Sequence, residues 1–137
     1  MFEGYLIKLG EYTFPMRYIA EETYSAKPKQ RQELDAYRDN LGVLHREVVE
    51  NRPSLIKFRT VSGMTNYDVK MLFEMIHANY INEDERKLKV TYYIPEKDDY
   101  SDPEDMYIPN LEFPIDVIDK EKKEVVYNSI EFSFIGY

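Results

Sequence analysis

Apolar residues recur at every second position through most of this chain, and with the period of an α-helix in one stretch only. That contrast constrains the fold more than any other feature. Lys87–Ile94 sets Leu88, Val90, Tyr92 and Ile94 on one face and Lys87, Lys89, Thr91 and Tyr93 on the other. Strict alternation of this kind predicts a half-buried strand. Tyr5–Leu9, Val43–Val49, Leu55–Val61 and Val125–Ile135 alternate in the same way. Met106–Pro109 and Leu111–Ile118 read as strands interrupted by proline, and Pro15 bends Glu11–Tyr24 or holds it at a sheet edge. Asn40-Leu41-Gly42 reads as a turn, because Asn and Gly tolerate positive φ. Leu34–Asn40 before it fits a short strand or a turn. Glu50–Pro53 is expected to join Val43–Val49 to Leu55–Val61 as a hairpin.

The helical stretch is residues 65–80. Val69, Leu72, Phe73, Ile76 and Tyr80 form one apolar stripe, opposite Lys70, Glu74 and His77. Thr65 is the expected N-cap, with Asp68 three residues later where a capping box places an acid. Strands, one helix, then strands again predict a mainly β fold: an antiparallel β-sandwich with one packed α-helix. The 137 residues form a single domain, residues 1–137, with exposed loops expected near 25–33 and 95–105.

Composition excludes several function classes. Cys is absent, so disulfides, thiolate metal sites and cysteine nucleophiles are excluded. The net charge of −8 argues against nucleic-acid binding, which rests on a Lys/Arg surplus. No apolar run reaches the ~18 residues of a membrane helix, and Met1–Phe14 lacks a signal-peptide core, so no membrane association is expected. No Gly-rich phosphate loop or GxSxG elbow occurs. His45 and His77 lie far apart in sequence, with no metal-ligand spacing around them. Asp98, Asp99, Asp102, Glu104 and Asp105 crowd one segment, where several carboxylates could gather calcium, but the EF-hand pattern is missing. Pro95–Asp105 therefore reads as a solvated acidic loop. Neither a metal, nor a cofactor, nor an enzymatic activity is expected.

Charge is uneven along the chain. Ala26–Thr60 carries eight bases against five acids, and Tyr80–Tyr137 seven bases against fifteen acids. A basic surface on one copy could thus face an acidic surface on the next. Arg31, Arg38 and Arg46 are the candidate interface residues within the basic segment. Thirteen tyrosines fit the same reading, since Tyr suits surfaces buried on one side.

The element order carries a resemblance. The turn Asp39-Asn40-Leu41-Gly42 leads into the charged strand Val43–Val49. Leu55-Ile56-Lys57-Phe58-Arg59 and one amphipathic helix follow, then a strand ending Val90-Thr91-Tyr92-Tyr93, and last Tyr127–Ile135. This order resembles small tail proteins of Gram-positive bacteriophages and prophages, and is similar to the distal tail protein, the baseplate hub ring. The resemblance implies a virion structural protein of a tailed phage or phage-like particle. Its place would be a distal-tail or baseplate ring, a homo-oligomer of six copies joining the tail tube to the tail tip. Tube, tape-measure and tail-tip proteins would be its neighbours, in the virion tail, after assembly in the bacterial host cytoplasm. A tail-tube, tail-terminator or head–tail connector subunit is the alternative within the class. A small monomeric regulatory or ligand-binding module is the alternative outside it.

Overall fold

The computed structural model describes residues 1–30, 33–48 and 53–137. Thirteen strands and one α-helix follow in chain order. They are β1 (Ile7–Leu9), β2 (Tyr12–Thr13), β3 (Ser25–Lys27), β4 (Glu33–Arg38), β5 (Leu44–Val48), β6 (Leu55–Arg59), β7 (Met64–Thr65) and α1 (Asn66–Ala78). After the helix come β8 (Lys87–Ile94), β9 (Asp99–Tyr100), β10 (Glu104–Tyr107), β11 (Ile115–Asp119), β12 (Glu124–Tyr127) and β13 (Glu131–Gly136).

Eight strands form one antiparallel sheet in the order β2-β1-β8-β10-β13-β6-β3, with β9 added to the end of β8. β11, β12 and β7 make a small second sheet, and β4 and β5 a separate pair. The fold is mainly β, a sandwich with one helix, as the sequence pattern predicts. The core lies against the inner face of the large sheet. Leu88, Val90, Tyr92 and Ile94 are buried from β8, and the register sets Phe132 opposite Phe58 and Phe134 opposite Ile56. The Phe58 and Phe132 rings stack at 5.2 Å, and Phe14 meets both edge-on from the chain after β2. Edge-to-face and offset contacts of this kind suit the ring quadrupoles.

α1 begins as expected. Thr65 Oγ1 accepts from the Asp68 N–H at 3.3 Å, and the Asp68 carboxylate accepts from the Thr65 N–H at 3.1 Å. Leu72 and Ile76 enter the core, while Val69, Phe73 and Tyr80 pack on it only half-buried. Phe73 stacks on Phe132 at 5.7 Å. Gly136 fits where no side chain could, since a Cβ there would meet the Ser54 backbone nitrogen at 2.8 Å.

Four expectations are corrected. β5 pairs with β4, and β6 pairs with β3 and β13, so Val43–Val49 and Leu55–Val61 do not answer each other. The expected connection between them falls mostly on residues 49–52, outside the described residues. Val125–Ile135 is two strands in different sheets, because the chain leaves β12 at Asn128 and re-enters the large sheet at Glu131. The segment near 25–33 contains β3, which β6 takes as an edge partner, so only part of it is loop. Pro95–Asp105 is largely exposed, as expected, but it is not a plain loop: it holds a short 3-10 helix (Pro95–Lys97), then β9 and the start of β10.

Candidate interaction surface

The β4–β5 hairpin is the only place where two strands pair with each other and, among the described residues, with nothing else. Its turn is fixed by its own residues. The Asp39 carboxylate accepts from the Leu41 N–H at 2.9 Å and the Val43 N–H at 3.0 Å. The Gly42 N–H donates to the Asp39 carbonyl at 2.9 Å, and Gly42 takes a φ of +82°, where a Cβ would be strained. His45 Nε2 stands 2.9 Å from the second Asp39 oxygen, and its ring stacks on Tyr37 at 4.9 Å. The His45 contact, followed by these backbone donors, holds the Asp39 carboxyl below the usual carboxylate range. This hydrogen-bonded tip presents apolar groups to solvent: Leu41 is 90% exposed and Tyr37 55%, with Val43 and Leu44 exposed beside them.

The three candidate arginines meet different fates. Arg31 lies outside the described residues. Arg38 is exposed at the end of β4 and donates back to the Gly42 carbonyl at 2.9 Å, so it helps fix the turn. Arg46 is exposed on β5, opposite Ala36 in the register. Lys27 and Lys29 line a cleft elsewhere, and Lys57 and Arg59 occupy the outer face of β6, where Arg59 faces Glu131 at 3.8 Å.

Two further apolar surfaces stand open. Among the described residues β11 is an edge strand, paired only with β12, with a bulge between Ile115 and Val117. Ile115, Val117 and Ile118 are all more than half exposed. An exposed apolar edge is a template for another strand, and the bulge, Asp116 and Asp119 blunt this one in part. On α1, Tyr67, Met71 and Met75 form an exposed stripe on the flank away from Phe73, whose ring meets Phe113 at 5.3 Å.

The acidic segment is held by local partners. Asp98 accepts from the Phe2 N–H and from the Tyr93 hydroxyl. Asp99 accepts from the Tyr100 N–H and faces the N-terminal ammonium, and both draw its carboxyl down. Asp105 sits 2.7 Å from Lys89 and 3.8 Å from Lys87 across the β8–β10 pairing, and Lys89 lowers its pKa. Among the described residues, no three His, Asp or Glu side chains gather as a metal-holding group. Part of this segment walls a cleft of about 720 Å³ that mixes Lys27, Lys29 and Lys97 with Glu96, Asp99, Asp102 and Glu104. At its floor, the buried Tyr92 hydroxyl lies 2.8 Å from Ser54 Oγ and 3.3 Å from Glu104, and burial pushes its pKa up to about 12.

A protein-family model matches residues 1–137 from end to end. The chain belongs to DUF6711. That is a family of unknown function, so its description adds no chemistry to the geometry. No curated protein and no solved structure matches the chain. In this DUF6711 chain the arginines were legible as charge, but the apolar groups around them were missed. A leucine at the centre of the polar turn Asp39–Gly42 was the available signal, because turns ordinarily carry polar residues there.

Proposed function

We propose that this chain is a virion structural protein of a tailed phage or phage-like particle, a distal-tail or baseplate ring subunit that joins the tail tube to the tail tip. The observation that carries the reading is the β4–β5 hairpin, which joins no further strand among the described residues and exposes an apolar tip. An isolated two-stranded hairpin is marginal in water, so one with an exposed apolar tip gains from meeting another surface. The β11 edge and the Met71–Met75 flank of α1 supply further exposed apolar surfaces, and a ring subunit needs more than one. The element order, which resembles that of phage tail proteins, supports this class. The mechanism is geometric: copies close a ring, and a net charge of −8 repels a passing DNA duplex rather than retaining it. No catalytic group enters the mechanism.

Light scattering after size exclusion, with negative-stain imaging, tests the reading. Closed rings, either alone or on mixing with tube and tail-tip proteins, are the expected result. A protein that remains monomeric under both conditions overturns it. The cleft beside Tyr92 favours a second reading, a small ligand-binding module. A thermal shift produced by a small anion or zwitterion in a monomeric protein would support that reading instead.

A further inference from the structure

We propose that the pocket between the start of the chain, Tyr24 and the end of β8 binds a small quaternary ammonium compound, a cation of the choline class. The proposal stands apart from the ring reading, since it needs one copy only. The pocket holds about 520 Å³, within the ~300–1,000 Å³ of small-molecule sites. Phe2, Tyr24 and Tyr93 bring three aromatic rings to its lining, and Leu6, Met16 and Pro95 add apolar surface. Among the described residues, Glu21 is the one charged side chain that lines it.

The rings are held in place by their neighbours. Phe2 meets Tyr93 at 5.2 Å with the ring planes 82° apart, so the two form a corner. The Tyr93 hydroxyl donates to Asp98 at 2.7 Å, and the Phe2 N–H donates to the same carboxylate oxygen at 3.2 Å. The Tyr24 hydroxyl donates to the Tyr93 carbonyl at 2.7 Å, which ties the third ring to the corner.

Charge selects the ligand. The faces of aromatic rings are negative, and a cation within about 6 Å of a ring centroid is attracted to them. The Glu21 carboxylate pairs with no base among the described residues. The bases closest to the lining in sequence point elsewhere: Arg17 lies over the Tyr18 ring at 4.7 Å, Lys97 lines the cleft beside Tyr92, and the N-terminal ammonium faces Asp99 at 3.5 Å. An anion would meet Glu21 at like charge, and a neutral apolar ligand would cover that carboxylate without a partner. A primary ammonium carries tightly held water that aromatic rings do not replace. A quaternary ammonium presents methyl groups to the rings and brings the charge that Glu21 lacks.

Isothermal titration of the full chain with choline tests the proposal, beside two matched probes. One is the neutral isostere of choline, in which carbon replaces the charged nitrogen. The other is ethanolamine, which keeps the charge and lacks the methyl groups. Choline should bind at one site with millimolar or tighter affinity, and each of the other probes about tenfold more weakly. Phe2→Leu removes one wall at an exposed position and should weaken choline about tenfold, whereas Phe2→Tyr should retain it. Glu21→Gln should weaken choline and flatten its salt dependence while leaving the neutral isostere unchanged. Circular dichroism matching the wild type establishes that these variants fold. The proposal is overturned by choline giving no heat of binding, by the neutral isostere binding as tightly as choline, or by Phe2→Leu and Glu21→Gln both binding it as the wild type does. Each of those results leaves the ring reading standing, because that reading is decided by the oligomeric state.

Discussion

The large sheet and the β4–β5 hairpin are written in the same alternating pattern and end in opposite environments. Along β8 every second side chain is buried, and along β6 and β13 phenylalanines stack face to face. In the hairpin the register is as regular and the turn more tightly bonded, yet Tyr37, Val43 and Leu44 remain exposed. The difference lies in the third partner. β6, β8, β10 and β13 have strands on both sides and a helix or a returning segment over one face. The hairpin has neither within the described residues. Alternation is therefore a local property of this chain, and burial is a property of what arrives from elsewhere.

That contrast can be broken at several points. Phe132→Ala removes a fully buried ring from the aromatic stack and should cost about 3–5 kcal/mol in denaturant unfolding. A loss under about 1 kcal/mol, the level of an ordinary point mutation, would mean the core is no better packed than the hairpin. Phe73→Ala should cost less, about 2 kcal/mol, since the ring is only half-buried between Phe132 and Phe113. Equal losses at the two positions would dissolve the distinction between core and boundary. Asp68→Ala removes the returning half of the capping box and should cost about 1 kcal/mol, with a matching fall in helical circular dichroism.

Tyr92 probes the core through pH. Its phenol is held neutral by burial, so the folded pKa, about 12, exceeds the ordinary 10.0. The stability it contributes is complete below pH 10 and is lost as pH rises towards 12. Tyr92→Phe should lower stability at pH 7 by about 1 kcal/mol, the worth of the Ser54 hydrogen bond, and make the alkaline fall in melting temperature shallower. An unchanged alkaline profile would assign that fall to the other tyrosines. The smallest effect on folding belongs to the hairpin: Leu41→Asp should change the stability of the monomer by less than about 0.5 kcal/mol while abolishing self-association. A large loss of monomer stability there would show that the tip packs on its own chain after all.

By itself, the sequence determined what depends on neighbours along the chain. Alternation gave β8 its two faces, and the 3.6-residue stripe with Thr65 and Asp68 gave α1 its bounds, cap and buried side. The turn chemistry of Asp39 and Gly42 closed a hairpin there, although its first strand was readable either way. Tertiary structure decided what depends on distant residues. Partner choice is one such matter: β6 could face β5 or β13 on alternation alone, and the phenylalanine register with β13 settled it. The acidic segment became ordered because Lys89, Tyr93 and the N-terminus reach its carboxylates from other elements. The candidate surface divided in the same way. Arg38 and Arg46 could be named from charge, but the exposure of Leu41, Leu44 and Ile118 could not. A leucine in an alternating strand is apolar wherever it sits, and only the absence of a covering layer leaves it facing water.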